Sequence, residues 1–379
     1  MEHETSRNLA LLLRHYSALS PSTPALIPSP PFPSSRTLSL PTTQLWIVEN
    51  LLPIDHEPPQ ESIRGGNTWK KAFWRRIVKG IETGFEERKH LGDSNVEDEE
   101  VDADILDRMV EYLSTAGSSD GAGASPGQSE RKYYWGDLEG SRQEWRCVRA
   151  REEGRMISGG TTGLRTWQAC IALSNHFLAD PSRIVESRNI VELGAGVGLL
   201  SLVAATLRQD QRDGKVISTD VDEKVLELLE SNVRLNNLED SVKTCNLDWE
   251  LASKVASDGA AGLLEWEREA FGDQGRADLI IGADIVYDPS LTAHLAATIS
   301  WLLRARPEAT AQDKPAEAII AGTIRNESTW ELFLSECRSR QLRIDEVALR
   351  TLENGAGLVG AEGWENEGQV RVVRLTRLS

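Results

Sequence analysis

The spacing of apolar residues changes along this chain, and each change predicts an element. Trp69, Phe73, Ile77, Ile81 and Phe85 recur every four residues behind Asn67, which predicts a long capped helix with one buried face. Ile105, Met109, Val110 and Leu113 predict a second helix over 101–113, and shorter apolar runs at 8–16 and 44–52 predict two more. Past residue 130 the period shortens. Residues 132–157 are rich in β-formers and predict a pairing layer ahead of the main core, entered by a helix over 166–178. β-type runs at 190–193, 215–219, 241–247, 277–283, 317–323, 342–348 and 369–375 then alternate with helical patterns such as 199–204, 223–236, 291–303 and 328–338. In the 223–236 helix, Val225, Leu226, Leu229 and Val233 mark the apolar face. The alternation predicts an α/β fold: a doubly wound, mostly parallel sheet of seven strands whose last pair forms an antiparallel edge.

Composition divides the chain. Residues 21–59 hold ten of its fifteen prolines, which predicts extended or irregular backbone there. Glu97 to Glu100, extended by Asp93, Asp102, Asp104 and Asp107, reads as a solvated acidic face. Small and polar residues over 115–130 read as a flexible linker. The expected organisation is therefore a helical accessory region at 1–114, the linker at 115–130 and the main α/β domain at 131–379. The 379 residues, 40% hydrophobic, suffice for one sizeable core plus that accessory region. The four cysteines are scattered and no His/Cys spacing suits a metal, so reduced thiols and no metal site are expected. Without a signal peptide or a membrane-length apolar run, the expectation is a soluble, cytoplasmic protein with no membrane partner. A net charge of −17 argues against stable nucleic-acid binding and suits a basic partner.

The densest chemistry lies at residues 190–198, Ile-Val-Glu-Leu-Gly-Ala-Gly-Val-Gly. A strand entering this cluster and leaving as a helix makes a tight turn in which Gly194, Ala195, Gly196 and Gly198 can cradle a ligand with their backbone amides. Glu192, two positions before the first glycine, would repel a pyrophosphate and favour the cationic amino-acid end of S-adenosylmethionine. Asp220, closing the next strand, can accept from both ribose hydroxyls. Ligands of open α/β sheets lie over the carboxyl ends of the strands, which draws attention to Asp248 and Trp249, to Ala283, Asp284 and Tyr287, and to Trp167 ahead of the first strand. Asp248 could accept from an adenine amino group and Trp249 offers a flat face beside the base.

Together, Trp167, the Glu192 to Gly198 loop, Asp220, Leu247-Asp248-Trp249 and Asp284-Ile-Val-Tyr287 resemble the seven-β-strand, Rossmann-like protein-lysine methyltransferases with a DxxY motif. Thr323-Ile-Arg-Asn326 resembles the branch that methylates elongation factor 2, as does the helical N-terminal region with Pro58-Pro59. The resemblance implies S-adenosylmethionine as cofactor, held by Trp167, Glu192, Gly194, Ala195, Gly196, Gly198, Asp220, Asp248, Trp249 and Ala283. It implies a lysine of elongation factor 2 as acceptor. Asp284 is then the candidate for holding the incoming ammonium and Tyr287 for packing against it, with a cap after the strand as the plainer role for Asp284. Other open readings are a methyltransferase for another protein, RNA or a small molecule, and a non-catalytic module that binds the cofactor and holds a basic partner. RNA is disfavoured by the charge and by the lack of an Asn-Pro-Pro-Tyr or Asp-Pro-Pro-Tyr sequence.

Overall fold

The structure, a computed structural model, describes residues 2–20, 23–55, 67–114, 128–139, 142–153, 162–209, 214–257, 261–272, 276–304, 315–360 and 368–378. It falls into two compact units: Met1–Cys147 with Arg151–Met156 and Asn354–Gly363, and Val148–Ala150 with Ile157–Glu353 and Trp364–Ser379. Among the described residues no helix is long and apolar enough to cross a membrane.

The first unit holds α1 (Glu2–Ser17), α2 (Ser35–Leu38), α3 (Pro41–Asn50), α4 (Leu52–Asp55), α5 (Asn67–His90), α6 (Ala103–Ser114) and a two-stranded sheet of β1 (Gln128–Trp135) and β2 (Arg146–Glu153). The four-residue stripe of α5 is buried as its spacing requires: Trp69, Phe73, Trp74, Ile77 and Ile81 join Leu12, Tyr16, Ile47 and Ile105 in one core. Trp74 Nε1 donates to the buried Tyr16 hydroxyl at 3.0 Å, so the polar tips inside this core are paired with each other. The phase of α6 differs from expectation. Ile105, Leu106, Met109 and Tyr112 meet the core while Val110 is exposed, because positions i, i+1, i+4 and i+7 share one face of a helix and i+5 turns away from it. Within the proline-rich stretch, 27–34 is turn and coil as expected, while short helices flank that segment. Pro24 and Pro41 sit in the first turns of short helices, where a missing N–H costs nothing, and Ile27, Phe32 and Leu38 are buried between them. The acidic run is not purely solvated: Asp93 and Glu99 clasp buried Arg88, with Nη2 to Asp93 Oδ2 at 2.8 Å and Nη1 to Glu99 Oε2 at 2.5 Å. Of the expected linker, 115–127 lies outside the described residues, as does Pro58-Pro59, and 128–130 already belong to β1.

The second unit is a seven-stranded sheet of β3 (Ile190–Leu193), β4 (Val216–Asp220), β5 (Val242–Asn246), β6 (Leu279–Ala283), β7 (Glu317–Thr323), β8 (Leu342–Glu346) and β9 (Val370–Arg377), in the order β5-β4-β3-β6-β7-β9-β8. The first five strands are parallel; β9 runs antiparallel to β7 and β8. This is the predicted architecture. Its helices are α7 (Gln168–Ala179), α8 (Ser182–Glu186), α9 (Leu199–Leu207), α10 (Glu223–Leu235), α11 (Trp249–Ser257), α12 (Ala261–Phe271), α13 (Thr292–Leu302) and α14 (Glu327–Ser339). On α10, Leu228 is buried in place of the expected Leu226. β3 is buried along its whole length, as a strand covered on both faces must be. Val191 and Leu193 join Ile280, Leu295 and Ile299 in one core, so Glu192 between them faces the other side, toward α9. The chain leaves β3 toward β4 and β5, then returns to place β6 on the opposite flank of β3. That reversal is the switch point where open α/β sheets bind ligands.

Candidate active site

At the carboxyl ends of β3, β4 and β6 lies a cavity of about 460 Å³, within the range that holds nucleoside-sized ligands. Trp167, Glu192, Gly194, Ala195, Gly196, Asp220, Asp248, Trp249, Ala283, Asp284 and Tyr287 all line it. These candidates come from five separate stretches of the chain, and parallel register brings them level: Leu193 opposite Gly282, and Asp220 opposite Asn246. Gly198 is off the wall. It caps α9 with φ +88°, and its α-carbon faces Leu229.

The turn after β3 is held from within. Ala195 N–H donates to Thr219 O at 2.8 Å, Gly196 N–H to Asp220 Oδ2 at 3.1 Å and Gly198 N–H to Ala195 O at 2.9 Å. These three amides are therefore spent on the fold, whereas the sequence suggested that they point at a ligand. A Cβ at Gly196, where φ is +56°, would stand 2.9 Å from Gly163 O. At Gly194 a Cβ would stand 2.7 Å from Ile285 Cγ2 and 3.4 Å from Trp249 Cζ2, so this glycine lets the β3, β5 and β6 loops converge.

Glu192 is buried, and its Oε2 accepts from Ser201 N–H at 2.9 Å and from the Ser201 hydroxyl, which also meets Ser218 Oγ at 2.7 Å. Burial outweighs those donors and pushes its pKa up to about 8. Asp220 is also raised, chiefly by burial, and accepts from Val221 N–H at 2.8 Å and Asp222 N–H at 3.2 Å besides Gly196. A carboxylate has about four acceptor positions. Three of these are taken, which leaves Asp220 one. Asp248 caps α11, accepting from Glu250 N–H at 2.8 Å and Leu251 N–H at 3.3 Å through Oδ1.

Asp284 is the most constrained of the set. Its backbone has φ +55° and its side chain is 5% exposed. Oδ2 accepts from Ala169 N–H at 2.9 Å and Thr323 Oγ1 at 3.2 Å, and Oδ1 from Thr323 N–H at 2.8 Å. It thus ties the start of α7 to the end of β7, the capping role, while still reaching the cavity. Trp167 Nε1 donates to Thr162 O at 3.1 Å, and its ring lies 5.0 Å beneath the Arg325 guanidinium, which is 3.8 Å from Asp284. Tyr287 is 60% exposed. Arg165, Cys170, Val221 and Ile285 also line the cavity and were missed. Each is a neighbour of a recognised residue, the only signal the sequence carries for them. The wall combines buried carboxyl groups, the flat ring of Trp249 and the exposed phenol of Tyr287. Among the described residues no three metal-ligating side chains gather.

The chain is similar to known proteins. A model of the lysine methyltransferase family matches residues 152–260. The protein-lysine N-methyltransferase EFM3 of Chaetomium thermophilum is 32% identical over 311 residues, 82% of each chain. The human protein-lysine N-methyltransferase EEF2KMT is 30% identical over 188 residues, 49% of this chain and 52% of that one. EFM3 of Saccharomyces cerevisiae is 28% identical over 212 residues, 52% of this chain and 55% of its own. Similarity that runs through both units at the first of these levels, over a sheet and loop of this design, places this chain in the protein-lysine methyltransferase family.

Proposed function

We propose that this chain transfers a methyl group from S-adenosylmethionine to a lysine of elongation factor 2, in the cytoplasm. One observation carries the reading: a single cavity gathers Asp220, Trp249, Asp284 and Tyr287 in its wall. The cofactor supplies an activated methyl on a sulfonium, which leaves as a neutral thioether. Asp220 would take a ribose hydroxyl at its remaining acceptor position, and Trp249 would flank the base. Glu192 and Arg165 would serve the ammonium and carboxylate of the amino-acid end.

The acceptor side must position an amine and leave it neutral. A lysine titrates near ~10.4 in water, and desolvation at the cavity favours loss of its proton. The carboxylate of Asp284, fixed by Ala169 and Thr323, has one acceptor position left for the amine, and the Tyr287 ring offers its face to the same cation. Elongation factor 2 is favoured by the Thr323 to Asn326 likeness and by the name EEF2KMT of a relative.

The test pairs calorimetry of cofactor binding with mass spectrometry of unmodified elongation factor 2 incubated with enzyme and cofactor. Asp284→Asn preserves shape and part of the hydrogen bonding. It should keep cofactor affinity within a few-fold and slow transfer by about 10²-fold, the scale of a misplaced reacting group. Normal turnover in this variant would remove Asp284 from the acceptor site. An unmodified elongation factor 2, with label entering another protein, would overturn the substrate.

A further inference from the structure

The proposed acceptor site sets two charge demands against each other. Asp284 and the Tyr287 ring both favour a lysine in its ammonium form, whereas a methyl can pass only to the neutral amine, whose lone pair makes the new bond. A cation that offsets the carboxylate would remove the conflict, and Arg325 has the place for it. Its Nη1 stands 3.8 Å from Asp284 Oδ1, and its guanidinium lies 5.0 Å from the centre of the Trp167 ring.

The choice of oxygen matters. Oδ2 of Asp284 already accepts twice, from Ala169 N–H and Thr323 Oγ1, and Oδ1 once, from Thr323 N–H. The remaining acceptor position is therefore on Oδ1, the oxygen that Arg325 approaches. At 3.8 Å the guanidinium is too distant to fill that position, yet close enough to balance the charge. An amine bonded to Oδ1 at ~2.9 Å would lie within about 7 Å of Nη1. The backbone holds Arg325 in place from both sides: its N–H donates to Thr323 O at 2.9 Å, Ile324 N–H donates to Gln369 O at 2.9 Å, and Asn326 caps α14 by accepting from Ser328 N–H at 3.0 Å. Other charges near the site are engaged elsewhere. Glu192 is bonded to Ser201 and Asp220 to Gly196, Asp222 and Asp248 cap α10 and α11, Asp288 accepts from Ser290 N–H, and Glu327 on α14 pairs with Arg371 on β9. Arg165, Cys170 and Glu250 also line the cavity.

We propose that Arg325 is a positioning residue for Asp284: it cancels the charge of the carboxylate while leaving the last acceptor position open, so that the acceptor lysine is held as a neutral amine, its proton going to water. The inference rests on the proposed placing of that lysine at Asp284.

The test compares wild type, Arg325→Gln and Arg325→Lys, with calorimetric cofactor affinity as the control for folding. Methylation of elongation factor 2 is followed by mass spectrometry at saturating substrate from neutral to alkaline pH. A guanidinium keeps its charge throughout, and its loss lets the lysine pKa rise. In Arg325→Gln the kcat profile should therefore move up by about one pH unit, a deficit of about tenfold at neutral pH that disappears in alkali, with KM no higher than in wild type. Arg325→Lys, which keeps the charge, should follow wild type. A second readout needs no protein substrate: butylammonium, titrated at neutral pH by saturation-transfer NMR into chain loaded with S-adenosylhomocysteine, should bind several-fold more tightly to Arg325→Gln than to wild type. Asp284→Asn/Arg325→Gln should lose that gain. A kcat deficit independent of pH, or equal butylammonium binding by wild type and Arg325→Gln, overturns the proposal. If wild type leaves elongation factor 2 unmodified, the substrate reading fails while the butylammonium titration still decides the role of Arg325.

Discussion

Glu192 is an acid that the fold holds in its uncharged form. Its ordinary pKa of 4.5 rises to about 8, with desolvation the largest cause, so the folded chain retains a proton that the unfolded chain releases between those values. The sign follows: this contribution to stability is complete below pH 4.5 and is lost as pH rises through about 8. Glu192→Gln should therefore flatten the fall of the urea midpoint with pH across that window. A cationic ligand beside Glu192 would draw the proton off, so calorimetry in buffers of unlike ionisation heat should register proton release on cofactor binding by the wild type alone. Equal buffer dependence in the Gln variant would show that the proton comes from elsewhere. The identity and place of Glu192 were legible, because two residues before Gly194 is the end of a buried strand. Its partners Ser201 and Ser218 were not. They meet it only because α9 folds back over the sheet, a contact that no local spacing encodes. Asp220, Asp248 and Asp284 repeat the lesson: position was readable, but the backbone amides that pin each carboxylate depend on register across strands.

At the scale of elements, the central strands were the easiest to read, since burial on both faces writes itself as an apolar run such as the Ala-Ile-Ile-Ala of 318–321. Short helices among prolines were harder, because a proline that ends one helix also starts the next. The junction of β3 and α9 is where element geometry is most demanding. Gly198 has φ +88°, and a Cβ there would stand 2.2 Å from Leu229 Cδ1, whereas Gly272 has φ +84° with nothing within 4 Å. Gly272→Ala thus isolates backbone strain in the same unit, and Gly198→Ala adds overlap with α10. Denaturant midpoints should place Gly272→Ala about 1 kcal/mol below wild type and Gly198→Ala at about 2–3 kcal/mol. If the two variants are equally stable, Leu229 yields freely and the fit of α9 against α10 is looser than the geometry implies.

Across the whole molecule, composition located a division near residue 120 but placed the chain beyond it in a single domain. The structure returns parts of that chain to the first unit. Arg14 in α1 donates to Gly136 O at 2.7 Å, to Gly355 O at 3.1 Å and to Gly357 O at 3.3 Å, binding a stretch more than three hundred residues away in sequence. Such re-entry is fixed by a buried guanidinium choosing backbone carbonyls, and nothing in the periodicity of residues 354–360 announces it. Each unit nevertheless has its own core, built around Tyr16, Phe73 and Trp74 in one and around Val191, Ile280 and Ile299 in the other. A ligand that binds only the native cavity stabilises the segments it touches by mass action, about 2.7 kcal/mol at a hundredfold excess over Kd. Hydrogen exchange with saturating S-adenosylmethionine should therefore slow the amides of 194–198, 219–222 and 283–285, all on or beside the cavity. Those of α5, inside the first core, should exchange as before. Slowing in α5 as well would show that the two units open as one cooperative body, and unchanged exchange at 194–222 would remove this cavity as the place where the cofactor binds.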